Sequence, residues 1–318
     1  WQGDNGYMYN ITCTNNKGIS YNTSSSRGGS ICLTGDNVTV TQSKFLSSNV
    51  YMDSGDSSKV DGGALFITGN NVTIYETEFT DCSAVNFGGA IYVLGDDTQI
   101  LNCSLKETTA LVGGGIFIAG NGAVVDDSLF RYNTAAGPAG GSGGAVYVEG
   151  NDATISDSDF AFDNVINYGG AISVWGQNAN ITRNVFDNCS TTLYDGGAIY
   201  VNGANTTISL SNFTRSRANN DYAHGGAIQV SGNDATIEEC NFEECYAFYG
   251  GIIHVSGSNT KINNKLTRTL AIIPTVIVFA LVQLNLKRKE AMALQQDGSA
   301  LKAEFSIKKI FPWFILGF

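Results

Sequence analysis

The sequence predicts an all-β chain folded as a single-stranded parallel β-helix of about nine coils, followed by a hydrophobic helical tail of transmembrane character. Three observations predict it. Nine Gly-Gly pairs, beginning at Gly28, Gly62, Gly88, Gly113, Gly143, Gly169, Gly196, Gly225 and Gly250, open copies of one template. Apolar residues recur within each copy at period two, and the pattern stops in mid-unit at Lys265, where a long apolar run takes over.

With the first Gly of each pair as position 0, position 3 is Ile, Leu or Val in every unit (Ile31, Leu65, Ile91 and so on), and position 5 likewise (Leu33, Ile67, Val93). Alternation at period two is the mark of a strand with one face inward. Position 7 is Gly throughout, usually followed by Asn or Asp, so a turn closes this strand. A second short strand carries Val40, Ile74, Ile100 and their equivalents at position 12. Position 17 is Phe in seven of the first eight units and Leu105 in the other. Position 15 is small and polar (Ser43, Thr77, Cys103, Ser128, Ser158, Asn184, Ser211, Cys240), and parity with position 17 turns it inward. Such a row is satisfied by hydrogen bonds along the stack.

Units of 25 to 34 residues cannot bury their own aliphatic face, whereas stacked units can. At about 4.8 Å per coil, nine coils give a rod of roughly 40 Å. Residues 28–264 form the repeats and residues 1–27 a cap or incomplete coil. The length-variable stretch after position 20 leaves from one edge, and its longest examples are residues 49–61, 133–142 and 216–224.

The net charge of −11 is unevenly divided: residues 1–264 carry −16 and the remainder +5. A rod this acidic is a poor partner for nucleic acid. Stacked coils bring only adjacent units within disulfide reach, which excludes a ladder of bridges among the seven Cys. Cys240 with Cys245 is the one local candidate, free thiols being the alternative. Nine Asn-x-Ser/Thr sequons, starting at Asn10, Asn22, Asn37, Asn71, Asn102, Asn180, Asn188, Asn205 and Asn212, are acceptors for glycans in a secreted chain, although Asn-rich turns also generate them by chance. The chain opens at Trp1 without a Met or a signal peptide, as a mature or truncated fragment would.

In the tail, residues 269–286 (TLAIIPTVIVFALVQLNL) are long enough to cross a bilayer. The basic stretch from Lys287 to Lys309 predicts a cytoplasmic loop, and hence an external rod. The segments LTRTLAIIPTVIVFALVQ and FSIKKIFPWFILGF resemble the sulfate-exporter family of membrane proteins near the junction of two spans. The match is short and carries no ligand motif, so it implies a fused or joined reading frame near Asn264, or else a membrane anchor.

The units GGALFITGNNVTIYETEF, GGAIYVLGDDTQI, GGAVYVEGNDATISDSDF and GGAIYVNGANTTISLSNF resemble repeats of adhesin-like surface proteins of methanogenic archaea and, more distantly, bacterial polymorphic membrane proteins. The Gly-Gly-Ala-aliphatic motif is complete in six units and altered at Ser30, Gly115 and Ile252; the Phe-x-x-Asn motif is intact only at Phe130 to Asn133. The resemblance implies a right-handed β-helix on an exported, cell-surface protein that mediates attachment, with glycans or proteins of a host or neighbouring cell as partners.

Two rows carry candidate chemistry. Position 4 supplies Phe66, Tyr92, Phe117, Tyr147 and Tyr200, and position 6 adds Trp175. Aromatic faces at coil spacing suit sugar rings or a docked protein, and aromatics also stack well on any β surface. Position 14 supplies Glu76, Asp127, Asp157 and Arg183, with Asp159 at position 16. Asp127, Asp157 and Arg183 could serve a polysaccharide lyase or glycoside hydrolase. Asp127, Asp157 and Asp159 could hold calcium, the one cofactor the sequence suggests. The plainer alternative is a surface ion pair between Arg183 and Asp157. The two His, His224 and His254, show no metal-ligand spacing and no catalytic partner in sequence. The expected function is a cell-surface binding module, with a carbohydrate-active enzyme and a passive stalk as alternatives.

Overall fold

The computed structural model describes residues 1–22, 26–55, 60–137 and 141–263. The described residues form one compact unit, Trp1–Asn263. The expectations for the tail lie outside the described residues. Among the described residues no helix is long and apolar enough to cross a membrane.

This unit is a β-solenoid with four parallel sheets running along it. Strands at positions 3 to 5, from Ile31–Leu33 to Ile253–Val255, form a nine-stranded sheet; those at positions 11 to 13, preceded by Tyr7–Tyr9 and ending at Lys261–Asn263, form a ten-stranded one. A third sheet of nine strands, from Thr12–Thr14 to Asn241–Glu243, carries position 17, and a fourth of eight runs from Lys17–Asn22 to Arg217–Ala218. Seven consecutive turns, from Ile31 to Ala218, have all four strands; the turns at either end have fewer. The fourth strand is only two residues long in most turns, too short for periodicity to reveal. Its longest copy, Asn49–Gly55, pairs with Lys17–Asn22, so the first part of a segment expected to be a loop is a strand.

Pairing joins identical template positions: Leu65 faces Ile91, Ile74 faces Ile100 and Phe79 faces Leu105. Like therefore stacks on like in one continuous core. The position 17 rings lie nearly parallel with centres 5.0 Å apart for Phe45 and Phe79, 4.6 Å for Phe130 and Phe160, and 4.7 Å for Phe186 and Phe213. Leu105 interrupts the stack between Phe79 and Phe130 and is fully buried in their place.

What bends each coil is a set of left-handed corners. Position 0 is Gly with φ near +65°, and positions 9, 14 and 19 also take positive φ although most are not Gly. Asn and Asp at position 9 suit this conformation, because their short polar side chains offset its cost. At positions 14 and 19 the residue type gives no such warning: Arg183, Leu210, Tyr132 and Phe162 all adopt it, with φ of 57°, 53°, 58° and 60°. The left-handed form costs an ordinary residue about 1–2 kcal/mol. Leu210 is also an exposed apolar side chain. Leu210→Asn, the residue found at the same corner as Asn102, is therefore expected to stabilise the fold by about 1 kcal/mol, read from urea unfolding at unchanged slope.

A corner also turns the following backbone N–H away from the sheet ladder, and the inward polar rows satisfy it. The N–H groups of Cys103, Ser128, Ser158 and Asn184 donate to the side chains of Ser128, Ser158, Asn184 and Ser211 in the next coil, at 3.0 to 3.1 Å. Each serine hydroxyl in turn donates to a carbonyl two residues back, as Ser128 does to Asp126 at 2.8 Å. The row is knitted through the backbone, and not hydroxyl to hydroxyl. Position 20 does the same at the next corner, where Asn133 donates from its Nδ2 to the Leu105 carbonyl and Cys189 from its thiol to the Phe160 carbonyl.

None of the seven Cys is in a disulfide. Cys240 and Cys245 lie on successive corners with Asn241–Glu243 between them, and each thiol donates to backbone carbonyls, to Glu238 at 3.3 Å and to Phe213 at 3.5 Å. The candidate bridge is not formed. Burial pushes the Cys82 and Cys103 thiols up to about 12, which keeps them protonated and inert.

Candidate functional site: an aromatic track

Positions 3 and 5 point into the core, so position 4 points out, and the Gly-Gly turn folds the chain so that the residue just before it, position −1, lies on the same face. Pairing then follows a simple offset: the position −1 side chain of one coil meets the position 4 side chain of the next. Phe87 meets Phe117 at 4.7 Å between ring centres, Tyr168 meets Tyr200 at 4.6 Å, and the Arg27 guanidinium sits 4.9 Å over Phe66.

The six aromatic candidates form one row. Ring centres are 5.3 Å apart for Phe66 and Tyr92, 5.0 Å for Tyr92 and Phe117, and 5.0 Å for Phe117 and Tyr147. Ser173 occupies position 4 in the next coil, and Trp175 bridges the gap, 6.5 Å from Tyr147 and 6.1 Å from Tyr200. Exposure along the row is uneven. Phe66, Phe117 and Tyr200 are only 3%, 4% and 7% exposed, Tyr92 and Tyr147 are half-buried, and Trp175 is 40% exposed. Their neighbours cover them: Phe87 lies against Tyr92 and Phe117, and Tyr168 and Trp175 against Tyr200. The buried rings are a foundation, and the accessible surface is Tyr92, Tyr147 and Trp175 with Tyr168 and Tyr194 beside them. Burial pushes the Tyr92 and Tyr147 hydroxyls up to about 12, so both remain donors at neutral pH. The Trp175 indole N–H is held by the Ser173 hydroxyl at 3.1 Å.

Residues 115–269 match the family model of the right handed beta helix region. The rod is a right-handed parallel β-helix. No match was found among the curated proteins or among the solved structures.

On this β-helix the acidic row lies elsewhere, on the corner between the second and third sheets. Arg183 grips Asp157 with two hydrogen bonds, 2.7 Å from Nε to Oδ1 and 2.6 Å from Nη2 to Oδ2, and holds its carboxyl below the usual carboxylate range. Both residues are exposed, where solvent and salt screen such a pair and leave it little net stabilisation. Asp127 stands at the same corner of the preceding coil, and Asp159 opens the strand that follows Asp157 and is exposed like it. Glu76, at the same position earlier in the rod, accepts from Gln42 at 2.8 Å. Among the described residues no group of three or more His, Cys, Asp or Glu side chains converges on a possible metal position.

The position −1 row was missed in sequence because it precedes the Gly-Gly mark from which the template was counted. Reading one residue further back gives Arg27, Asp61, Phe87, Val112, Ser142, Tyr168, Asp195, His224 and Tyr249. Its aromatic and charged members are the signal. Asp61 is nearly buried beneath Arg27, 3.7 Å away, and burial raises its carboxyl to about 6 in spite of that cation.

Proposed function

We propose that this β-helix is a binding module of the cell surface whose aromatic track docks extended glycan chains. The observation that carries the reading is the unbroken run of rings from Phe66 to Tyr200, anchored below by buried members and open above at Tyr92, Tyr147 and Trp175. Flat aromatic faces repeating along a rigid rod suit sugar rings that repeat along a chain. A wall set by four sheets needs no reorganisation on binding, which lowers the entropic cost of association. The acidic character of the rod favours neutral or basic polymers over acidic ones. A protein strand on the partner cell is the second partner class the reading admits.

The test is retention on a panel of immobilised neutral and acidic polysaccharides, with released oligosaccharides measured in parallel. Retention on a neutral polysaccharide is expected to fall at least ten-fold in Trp175→Ser and further with Tyr147→Ser added, without released product. Retention that ignores both substitutions would sink the glycan-docking reading. Product release that disappears in Asp157→Asn would replace it with an enzyme.

A further inference from the structure

His224 and His254 are the only two histidines of the chain, thirty residues apart, yet the offset between positions −1 and 4 places them in contact in successive coils. Their ring centres are 4.4 Å apart and the planes are tilted by 39°. Both are part-buried, and the Tyr249 ring lies 5.2 Å from His224.

Each imidazole has its Nδ1 occupied by the protein. His224 Nδ1 is 3.0 Å from Asp195 Oδ1, and the same oxygen accepts from the His224 backbone N–H at 2.8 Å. A carboxylate only accepts, so His224 Nδ1 carries the proton. His254 Nδ1 is 2.7 Å from Gln229 Oε1. The amide nitrogen of Gln229 is turned to the hydroxyls of Ser231 and Ser256, 3.2 and 3.4 Å away, which presents its oxygen to the imidazole. His254 Nδ1 is therefore the donor as well. Both rings are fixed in the tautomer that leaves Nε2 with a free lone pair.

We infer that His224 and His254 form a two-imidazole site for a borderline divalent transition metal such as Ni²⁺ or Zn²⁺. A ring whose Nδ1–H is anchored on a carboxylate or amide oxygen, with Nε2 left bare, is the arrangement in which histidine meets such metals; the anchor orients the ring and raises the basicity of the ligating nitrogen. Imidazole nitrogen suits this class of ion and not calcium, which prefers oxygen. With no third protein ligand in reach among the described residues, the remaining coordination positions belong to water or to a group on a bound partner. This site needs none of the sugar-docking reading, because it stands on the histidines and their anchors alone.

The probe is Ni²⁺ titrated calorimetrically into the full chain, with exposed thiols alkylated beforehand in every sample. One equivalent is expected to bind at neutral pH. His224→Ala and His254→Ala should each weaken it at least ten-fold, and Asp195→Asn, which removes only the anchor, roughly ten-fold. As the chain has no other imidazoles, the ring-proton resonances of both histidines should broaden together on adding paramagnetic Ni²⁺ to the unmutated chain, a readout that no folding defect in a variant can confuse. Uptake that survives in the double His→Ala variant, or histidine resonances that stay sharp at millimolar Ni²⁺, would overturn the inference.

Discussion

Asp163→Asn should raise the melting temperature by roughly 10 °C at pH 9 and leave it almost unchanged at pH 4. Asp163 is fully buried at position 20, where its Oδ1 accepts from both the backbone N–H and the Nδ2 of Asn133, at 2.8 and 2.9 Å, while Oδ2 has no partner. In neighbouring turns this position provides a donor to the position 17 carbonyl of the preceding coil, as Asn133 does to Leu105 and Cys189 to Phe160. By that register the carbonyl awaiting Asp163 is that of Phe130. A carboxyl can serve it only when protonated. Burial accordingly raises Asp163 from its ordinary 3.8 to about 8. Below pH 3.8 the group is protonated in both folded and unfolded chains and costs nothing. As the pH climbs toward 8 the unfolded chain loses its proton more readily, so stability falls throughout that window and levels off above it. The span corresponds to roughly 5 kcal/mol, and for a chain of this size each kcal/mol moves the melting point by about 2–4 °C. Asn supplies the donor permanently. A melting temperature that shows the same decline with pH in the Asn variant would refute the assignment.

The second large effect comes from a comparison of two equivalent glycines. Gly197 and Gly251 both follow the first Gly of a pair. A Cβ at Gly197 would lie 2.1 Å from the Gly226 carbonyl oxygen of the next turn and 2.5 Å from the Arg217 nitrogen on the fourth strand of its own turn, both backbone atoms, whereas a Cβ at Gly251 meets nothing within 4 Å. Gly197→Ala must push two coils apart and is expected to cost more than about 4 kcal/mol, enough to leave little folded protein. Gly251→Ala should change stability by less than about 0.5 kcal/mol. Chemical unfolding of the pair decides it, and equal costs would show that the glycines are required for something other than close approach of the coils.

Much of this architecture is legible in the sequence, because the residues at positions 3, 5, 12 and 17 do one job in every coil and a repeated job leaves a repeated residue. The left-handed corners at positions 14 and 19 are not legible. Their side chains point to solvent, and Arg183, Leu210 and Phe162 share only a backbone angle. The aromatic row was visible, but its burial was not, since the covering residues Phe87 and Tyr168 stand outside the counted template. The histidine pair was invisible for another reason: metal spacings are habitually counted in residues along a helix or loop, and here the relevant distance is one coil. Counted in coils, His224 and His254 are neighbours.

The in-register stacking of identical positions has a consequence for how such a chain changes over generations. Removing or duplicating one whole unit leaves every ladder continuous, since each new neighbour offers the same position as the old one. A deletion of a few residues inside the first seventeen positions of a unit, by contrast, would put that coil out of register with both of its neighbours. Length is therefore free to vary in steps of one coil while the cross-section stays fixed, and a feature made from two adjacent coils, such as the paired histidines, can be gained or lost in a single recombination event without touching the fold.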